Sequence, residues 1–152
     1  MNGGILVTGG AGFIGSATIR KLMRDTDRSV VNVDVLTYAA NVASLPSQGD
    51  NYRLGFEQID IADGSALSRV FDKYRPQAVL HLAAESHVDR SIDGPAAFVT
   101  TNIVGTYTLL ETCLEYWLAL GSAERAPFRI VHGARIGVNN FNIACGFNPR
   151  LR

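Results

Sequence analysis

The sequence lacks the features that mark nucleic-acid-binding, membrane-spanning and disulfide-rich proteins. Lys plus Arg and Asp plus Glu both number 14, so no excess of positive charge predicts binding to nucleic acid or to an anionic membrane. Apolar runs are too short to cross a bilayer, and the N-terminal residues lack the basic stretch of a signal peptide. Because the two cysteines, Cys113 and Cys145, stand far apart, we expect reduced thiols in a cytoplasmic protein, with neither a disulfide nor a metal site.

Short apolar runs alternate with helical patterns along the 152 residues, a length typical of one domain. Continuous apolar runs are typical of strands that are buried on both faces of a parallel sheet. The sequence therefore predicts an α/β fold, a doubly wound parallel sheet of about five strands with helices on both faces. The predicted strands lie within 4–8, 29–34, 52–61, 78–83 and 128–132, and the predicted helices within 12–24, 65–74 and 95–120.

Two of the predicted helices carry specific expectations about their apolar side chains. In the first helix, the helical spacing places five apolar residues on or near one side, namely Phe13, Ile14, Ala17, Ile19 and Leu22. The helix over 95–120 is apolar around much of its circumference, so we expect a second surface to cover the side that does not face its own sheet.

A glycine-rich turn joins the first strand to the first helix, with the sequence Thr8-Gly9-Gly10-Ala11-Gly12-Phe13-Ile14-Gly15. In a dinucleotide-binding turn, Gly9 would allow the tight bend, Gly12 the close approach of a pyrophosphate, and Gly15 the packing of helix on strand. The alternative is a set of ordinary turn glycines. The preceding strand, the following helix and an acid at the next strand end favour binding of NAD.

That acid is Asp34, nineteen residues after Gly15. A carboxylate there accepts hydrogen bonds from both ribose hydroxyls of NAD and would repel the additional phosphate of NADP. The alternative is a simple acid at a strand end. A second acid, Asp60, followed by Ile61, is expected near the adenine, while capping of the next helix is a competing explanation that suits Asp63 better.

Longer blocks of sequence carry a more specific resemblance. They are the glycine turn, Asp34-Val35-Leu36-Thr37-Tyr38-Ala39, His81-Leu82-Ala83-Ala84-Glu85-Ser86-His87-Val88-Asp89-Arg90-Ser91, Gly94-Pro95 and Thr101-Asn102-Ile103-Val104-Gly105-Thr106. From residue 4 to about 132, the chain closely resembles the dTDP-glucose 4,6-dehydratase family of extended short-chain dehydrogenases/reductases. The resemblance implies a Rossmann-type NAD-binding domain, a dTDP-glucose substrate of the rhamnose pathway and a homodimer.

The resemblance also implies which residues contact the cofactor, and it makes Ser86 a contact to the sugar nucleotide as well. Lysine usually follows the ribose acid in the family, and Val35 replaces it here. We expect His87 to be a structural turn residue, and Asp89 and Arg90 to form a local ion pair. With Gly9, Gly12 and Gly15 of the turn, the implied cofactor contacts are Phe13, Ile14, Asp34, Val35, Leu36, Thr37, Asp60, Ile61, Leu82, Ala83, Ala84, Glu85, Ser86 and Thr101.

The residues that the family uses for proton transfer are not found in this sequence. No tyrosine is followed four residues later by lysine, since the lysines are Lys21 and Lys73 alone. Where the family has Thr-Asp-Glu after the fifth strand, this chain has Arg135, Ile136 and Gly137. We therefore assign no catalytic residue and divide the chain into a partial NAD-binding domain, 1–132, and an irregular tail, 133–152, with no substrate domain.

Three functional interpretations remain open at this point. The chain is a dehydratase by descent that is inactive alone, an NAD-binding fragment without catalysis, or a remnant that does not fold stably. The parent enzyme could also be a sugar-nucleotide epimerase or decarboxylase of the same superfamily.

At residue 133 the resemblance to the family ends and the composition changes, which leads to the hypothesis that the reading frame shifts near codon 133. The last acid of the chain is Glu124, and the final twenty residues show no helical or strand period. Sequencing the gene beyond that codon tests the idea, because a one-base slip should restore a Ser-Thr-Asp-Glu run. If no frame restores it, a truncated paralogue or a deliberately shortened protein explains the tail instead.

Overall fold

The computed structural model describes residues 3–46, 52–86 and 95–133, and these residues form one parallel sheet with helices on both faces. The sheet has five strands in the order β3-β2-β1-β4-β5, so the chain moves outward from β1 first in one direction and then in the other. This confirms the predicted α/β architecture, although each strand is shorter than its apolar run. The strands are β1 (Ile5–Thr8), β2 (Val30–Val33), β3 (Leu54–Glu57), β4 (Ala78–His81) and β5 (Arg129–His132).

The helices follow the predicted pattern, with two differences. The expected long helix is a continuous rod that contains a π-helical turn, and a short helix not predicted from the sequence follows it. A 3-10 turn, Val42–Ser44, lies between β2 and β3. The helical segments are α1 (Phe13–Asp25), α2 (Gly64–Tyr74), α3 (Pro95–Val99), the π turn (Thr100–Gly105), α4 (Thr106–Ala119) and α5 (Ser122–Arg125).

Alternate residues of the strands supply two separate cores, one on each face of the sheet. On one face, Leu6 and Val79 pack with side chains of α2 and α4. On the other face, Val7 and Val30 pack with Ile19 of α1. Since successive side chains of a strand point to opposite faces, the parallel register of β1 with β2 and β4 places these residues in layers.

Only part of the apolar side predicted for α1 is buried. Phe13 is 93% exposed and Ile14 is 66% exposed, while Ile19 and Met23 are buried. Phe13 and Ile14 are the first two residues of α1, whereas Ile19 and Met23 lie further along the helix, where they pack with Val7 and Val30 of the sheet. The helical period of the sequence identifies a face but does not show how far along that face the sheet extends.

Helix α2 begins and ends with recognisable signals. The side chain of Asp63 accepts a hydrogen bond from the backbone N–H of Ala66, 2.9 Å away, so the capping explanation for Asp63 is confirmed. At the other end Arg75 adopts a left-handed conformation with φ of 48°. None of the helices in the described ranges is long and apolar enough to cross a membrane.

One side of the rod formed by α3, the π turn and α4 is buried and the other is exposed. Leu109, Cys113 and Tyr116 lie in the core against α2. An apolar stripe runs along the opposite side at helical spacing. This stripe, called the α4 stripe below, consists of Ile103, Tyr107, Leu110, Leu114 and Leu118. Within the described ranges β5 pairs with β4 alone, so it forms the edge of the sheet beside this rod.

Candidate functional site

The glycine turn lies at the carboxyl edge of the sheet, between the end of β1 and the start of α1. Gly9 has a φ of 69°, a conformation that L side chains rarely adopt. A Cβ at Gly9 would also lie 2.6 Å from the Cα of Ala83, so a side chain there would collide with the segment after β4. Gly15 is equally restricted, because its Cβ would run into the carbonyl oxygen of Gly9. These two positions therefore need glycine for the fold.

Gly12 differs from the other two glycines because its open side faces a cleft. Among the described residues, a Cβ at Gly12 would approach the carbonyl oxygen of Gly9 alone, at 3.3 Å. Gly12 is the N-cap of α1, and no side chain caps this helix start. The first backbone N–H groups of a helix have no partners within it, so they form a site for an anion.

The carboxylate of Asp34 connects the glycine turn to the segment that follows β2. One carboxylate oxygen accepts a hydrogen bond from the backbone N–H of Ala11 at 2.8 Å, and the other accepts one from the backbone N–H of Leu36 at 2.9 Å. Asp34 is buried, and Leu36 has a φ of 60°. A charged acceptor with two backbone donors is therefore fixed beside the helix start.

The segment after β3 forms the next wall of the cleft. Ile61 is buried, and Asp60 lies beside it with a carboxylate oxygen that accepts a hydrogen bond from the N–H of Ala62 at 2.9 Å. The helical rod approaches this wall closely at Gly105, where a Cβ would lie 2.7 Å from the Ile61 side chain. Gly105 thus brings the π turn, and Thr101 with it, to the edge of the cleft.

The segment after β4 completes the cleft, and an asparagine on the π turn holds it. The side-chain oxygen of Asn102 accepts a hydrogen bond from the backbone N–H of Glu85, and the side-chain nitrogen donates one to the carbonyl oxygen of Glu85, both at 2.9 Å. Across the cleft, the hydroxyl of Tyr38 lies 3.4 Å from the Glu85 carboxylate.

Most of the residues predicted from the sequence to contact NAD line one cleft with a volume of about 120 Å³. They come from the ends of four strands and from the π turn, and the cleft opens at the carboxyl edge of the sheet. Ala39, Ala40, Val33 and Ile59 line it as well. The predicted residues that line the cleft are Gly9, Gly12, Asp34, Val35, Thr37, Asp60, Ile61, Leu82, Ala83, Ala84, Glu85 and Thr101.

Five predicted residues do not line the cleft. Phe13 and Ile14 project from the first turn of α1, and Gly15 is buried beneath the turn. Leu36 supplies a backbone N–H to Asp34, and Ser86 is an exposed residue at the end of a described range. His87, Asp89, Arg90, Cys145 and the tail positions Arg135, Ile136 and Gly137 lie outside the described residues.

Sequence reasoning missed the polar side chains that hold the cleft walls together. Besides Asn102, the side-chain oxygen of Asn32 in β2 accepts a hydrogen bond from the N–H of Gly10 at 3.0 Å. The hydroxyl oxygen of Thr8 accepts hydrogen bonds from the N–H groups of Leu82 and Ala83, each at 3.2 Å. One signal was available, because Asn32 interrupts the apolar run Val-Val-Asn-Val of a buried strand.

A buried histidine, His81, ends β4 just behind the cleft. Its ring lies 4.7 Å from the ring of His132, the paired residue of β5. Burial, with a smaller contribution from His132, lowers the pKa of the His81 imidazole from 6.5 to about 4. His81 is therefore a neutral side chain at physiological pH.

This pKa predicts how stability depends on pH. Because the pKa of His81 is lower in the folded protein than in the unfolded chain, the folded state binds fewer protons between about pH 4 and 6.5. The stability due to His81, on the order of 3 kcal/mol, is then complete above pH 6.5 and is lost as the pH falls toward 4. An NMR titration of the His81 ring should give a midpoint near 4, and a midpoint near 6.5 would contradict the buried neutral state.

Comparison with known proteins shows that this chain is similar to sugar-nucleotide enzymes. A family model described as GDP-mannose 4,6 dehydratase matches residues 6–132. Among curated proteins, the dTDP-glucose 4,6-dehydratases of Salmonella typhimurium and Shigella flexneri are 56% and 59% identical to this chain over 128 residues. The alignments cover 84% of this chain, and the chain spans 36% of the length of these curated relatives.

Solved structures of the same superfamily are similar in fold and sequence. A dTDP-glucose 4,6-dehydratase from Streptomyces venezuelae, solved with NAD bound, is 44% identical with a TM-score of 0.68 over 74% of this chain and 36% of that one. A UDP-glucose 4-epimerase from Thermotoga maritima, solved with UDP-glucose, is 40% identical with a TM-score of 0.66 over 76% of this chain and 35% of that one.

Proposed function

The chain belongs to the family described as GDP-mannose 4,6 dehydratase, and we propose that residues 1–132 are the NAD-binding part of a dTDP-glucose 4,6-dehydratase. The observation that carries the proposal is the hydrogen bond from the N–H of Ala11 to the Asp34 carboxylate, which joins the glycine turn to a strand-end acid beside one cleft. This arrangement would suit the pyrophosphate and a ribose of NAD. The curated relatives named above support the dehydratase. A sugar-nucleotide epimerase is the second candidate, supported by the likeness to a solved epimerase.

The start of α1 suits the pyrophosphate of NAD. Gly12 leaves open the space in which a Cβ would lie, and no side chain caps the helix. The backbone N–H groups of Phe13 and Ile14, in the first helical turn, would donate to the phosphate oxygens while their side chains remain outside the cleft. This accounts for two predicted contacts whose side chains are exposed.

The walls after β2 and β3 suit the adenosine. Asp34 already accepts two backbone hydrogen bonds, and each carboxylate oxygen keeps a further lone pair for a ribose hydroxyl. Its negative charge disfavours the additional phosphate of NADP. Ile61 gives the adenine an apolar wall, and Val35 offers only its backbone and an aliphatic side chain where the family has lysine.

The wall after β4 suits the nicotinamide end of the cofactor. Ala83 and Ala84 leave room for a ribose, and Thr101 presents a hydroxyl from the π turn. When bound, NAD supplies a hydride acceptor that can return the hydride to the same sugar. Ser86, at the open end of this segment, would contact both the cofactor and dTDP-glucose.

For these 152 residues we propose cofactor binding without turnover. The sequence holds no tyrosine with a lysine four residues later, and Arg135, Ile136 and Gly137 stand where the family has its Thr-Asp-Glu run. Proton transfer needs titratable groups within hydrogen-bond reach of the substrate. The cytoplasmic location remains a prediction from the sequence.

A pair of glycine substitutions tests the NAD site. Gly12 and Gly121 are both N-cap residues with extended backbones, but Gly12 alone of the two lines the cleft. Gly12→Val should weaken NAD binding at least about tenfold by filling the pyrophosphate space. Because its Cβ would lie 3.3 Å from the carbonyl oxygen of Gly9, circular dichroism must first show that this variant is folded. Gly121→Val is the matched control and should bind NAD like the unaltered protein. Isothermal calorimetry gives the affinities, and thermal stabilisation by NAD gives a second measure.

Two outcomes would count against the proposal. Equal NAD affinity of Gly12→Val and the unaltered protein would exclude the helix start as the pyrophosphate site. Formation of a 4-keto product from dTDP-glucose and NAD by this chain alone would exclude binding without turnover. Protein that shows no stabilisation by NAD at any concentration would favour the third interpretation, a non-functional remnant.

We also propose that the complete family enzyme associates as a homodimer through the α4 stripe. Five apolar side chains in a row on one helix, exposed to solvent, are typical of a surface that another surface covers. Leu110 and Val42 are exposed to similar extents, 45% and 51%, but only Leu110 lies on the stripe.

This proposal predicts a difference between two lysine substitutions. Leu110→Lys should reduce the concentration-dependent association of the protein with itself, because the lysine charge would have to be buried in the apolar contact between two copies. Val42→Lys should leave association unchanged. Sedimentation velocity over a range of concentrations measures both, and equal association of the two variants would contradict a role for the stripe.

A further inference from the structure

His81 connects three elements behind the cleft through hydrogen bonds at both of its ring nitrogens. Its Nδ1 lies 2.7 Å from the hydroxyl oxygen of Thr8 at the end of β1. Its Nε2 lies 3.0 Å from the hydroxyl oxygen of Thr106, the first residue of α4 after the π turn. The ring is buried, so solvent does not compete for either contact.

The hydrogen bonds of Thr8 determine which ring nitrogen carries the proton. The hydroxyl oxygen of Thr8 accepts from the N–H of Ala83, and it shares the N–H of Leu82 with the carbonyl oxygen of Thr8. Both lone pairs of the hydroxyl oxygen thus face backbone N–H groups, and its one proton is left to donate to Nδ1 of His81; this favours donation by Thr8. The neutral imidazole therefore carries its proton on Nε2 and donates it to Thr106.

The direction of these bonds makes one continuous chain from the cleft wall to the helical rod. Leu82 and Ala83 line the cleft and donate to Thr8, Thr8 donates to His81, and His81 donates to Thr106. Thr106 directly follows the π turn that presents Thr101 to the same cleft. The imidazole of His81 thus connects two walls of the cleft, the segment after β4 and the π turn, and fixes their relative position.

The surroundings of His81 keep this arrangement in a single protonation state. The titratable group that faces the ring is His132 on β5, while β1 and α4 present the hydroxyls of Thr8 and Thr106. A second proton on His81 would place an N–H against the Thr8 oxygen, whose lone pairs are already used. The Thr8 hydroxyl would then give up the N–H of Leu82, which would keep only its hydrogen bond to the Thr8 carbonyl oxygen.

We infer that His81, as the Nε2-protonated neutral tautomer, is a positioning residue for the cofactor that acts through Thr8 and Thr106. It does not touch the cleft itself. The inference rests on the proposed NAD site, because the walls that His81 aligns are those assigned to the nicotinamide end of NAD.

Substitutions of Thr106 test this series of hydrogen bonds without altering any residue that lines the cleft. Valine has nearly the same shape as threonine, but Thr106→Val leaves the Nε2–H group of His81 without an acceptor. NAD affinity should therefore fall about fivefold, which corresponds to the free energy of one buried hydrogen bond. Thr106→Ser keeps the hydroxyl and should restore affinity. Thr112→Val is the matched control, since Thr112 lies on the same helix and its hydroxyl donates only to the carbonyl oxygen of Thr108 within it. Calorimetric titration of the full chain with NAD gives the four affinities.

Nitrogen NMR of His81 supplies a measurement that does not depend on NAD. The shifts of the unaltered protein should show a protonated Nε2 and an unprotonated Nδ1 at neutral pH, and Thr106→Val should perturb both. Finding the opposite tautomer would overturn the inference whatever the affinities are. If Thr106→Val does not fold, Thr106→Ala removes the same hydroxyl with a better helix former.

The outcomes separate this inference from the function on which it rests. NAD binding by the unaltered protein, together with equal affinity of Thr106→Val, would overturn the role of His81 and leave the NAD site intact. No NAD binding by the unaltered protein would overturn the proposed function and, with it, the role of His81 in positioning.

Discussion

The cleft depends on the close approach of the glycine turn to the ends of two neighbouring strands. On one side Gly9 lies against Ala83, so near that a Cβ would be 2.6 Å from the Ala83 Cα. On the other side the Asp34 carboxylate accepts the N–H of Ala11. Together these contacts fix the start of α1 over the point where the strand order reverses, which is where open parallel sheets bind ligands.

Buried polar side chains along the carboxyl edge of the sheet give the cleft a defined shape. Burying Asn32 or His81 in a strand is unfavourable unless each finds partners, and each accepts or donates a hydrogen bond that involves the turn or a cleft wall. Asn102 does the same from the helical rod by holding both backbone groups of Glu85. The walls of the cleft are therefore positioned by groups that do not line it, which is how a preorganised site is built.

The helical rod of α3, the π turn and α4 contributes to the core, to the cleft and to the exposed surface of the molecule. Its buried side completes the core with Leu109 and Tyr116, its π turn presents Thr101 to the cleft, and its outer side carries the α4 stripe. Single π turns inside helices commonly occur at functional sites, since the additional residue redirects the side chains around it. Here it lets Gly105 pack against Ile61, so a surface suited to association and a surface suited to cofactor lie on one element.

The sequence by itself determined the architecture and most of the cleft. Continuous apolar runs, the glycine spacing and the strand-end acids are local patterns, and they led to the parallel sheet and to Gly9, Gly12, Asp34 and Asp60. Most of the other predicted residues that line the cleft came from the family resemblance of longer sequence blocks. Only the tertiary structure decided the exposure of Phe13 and Ile14, the π turn, and the hydrogen bonds of Thr8, His81 and Asn102. The reason is physical, because helical period and strand alternation report which face a residue occupies. A partner 73 residues away, such as His81 for Thr8, is chosen by the register of the strands.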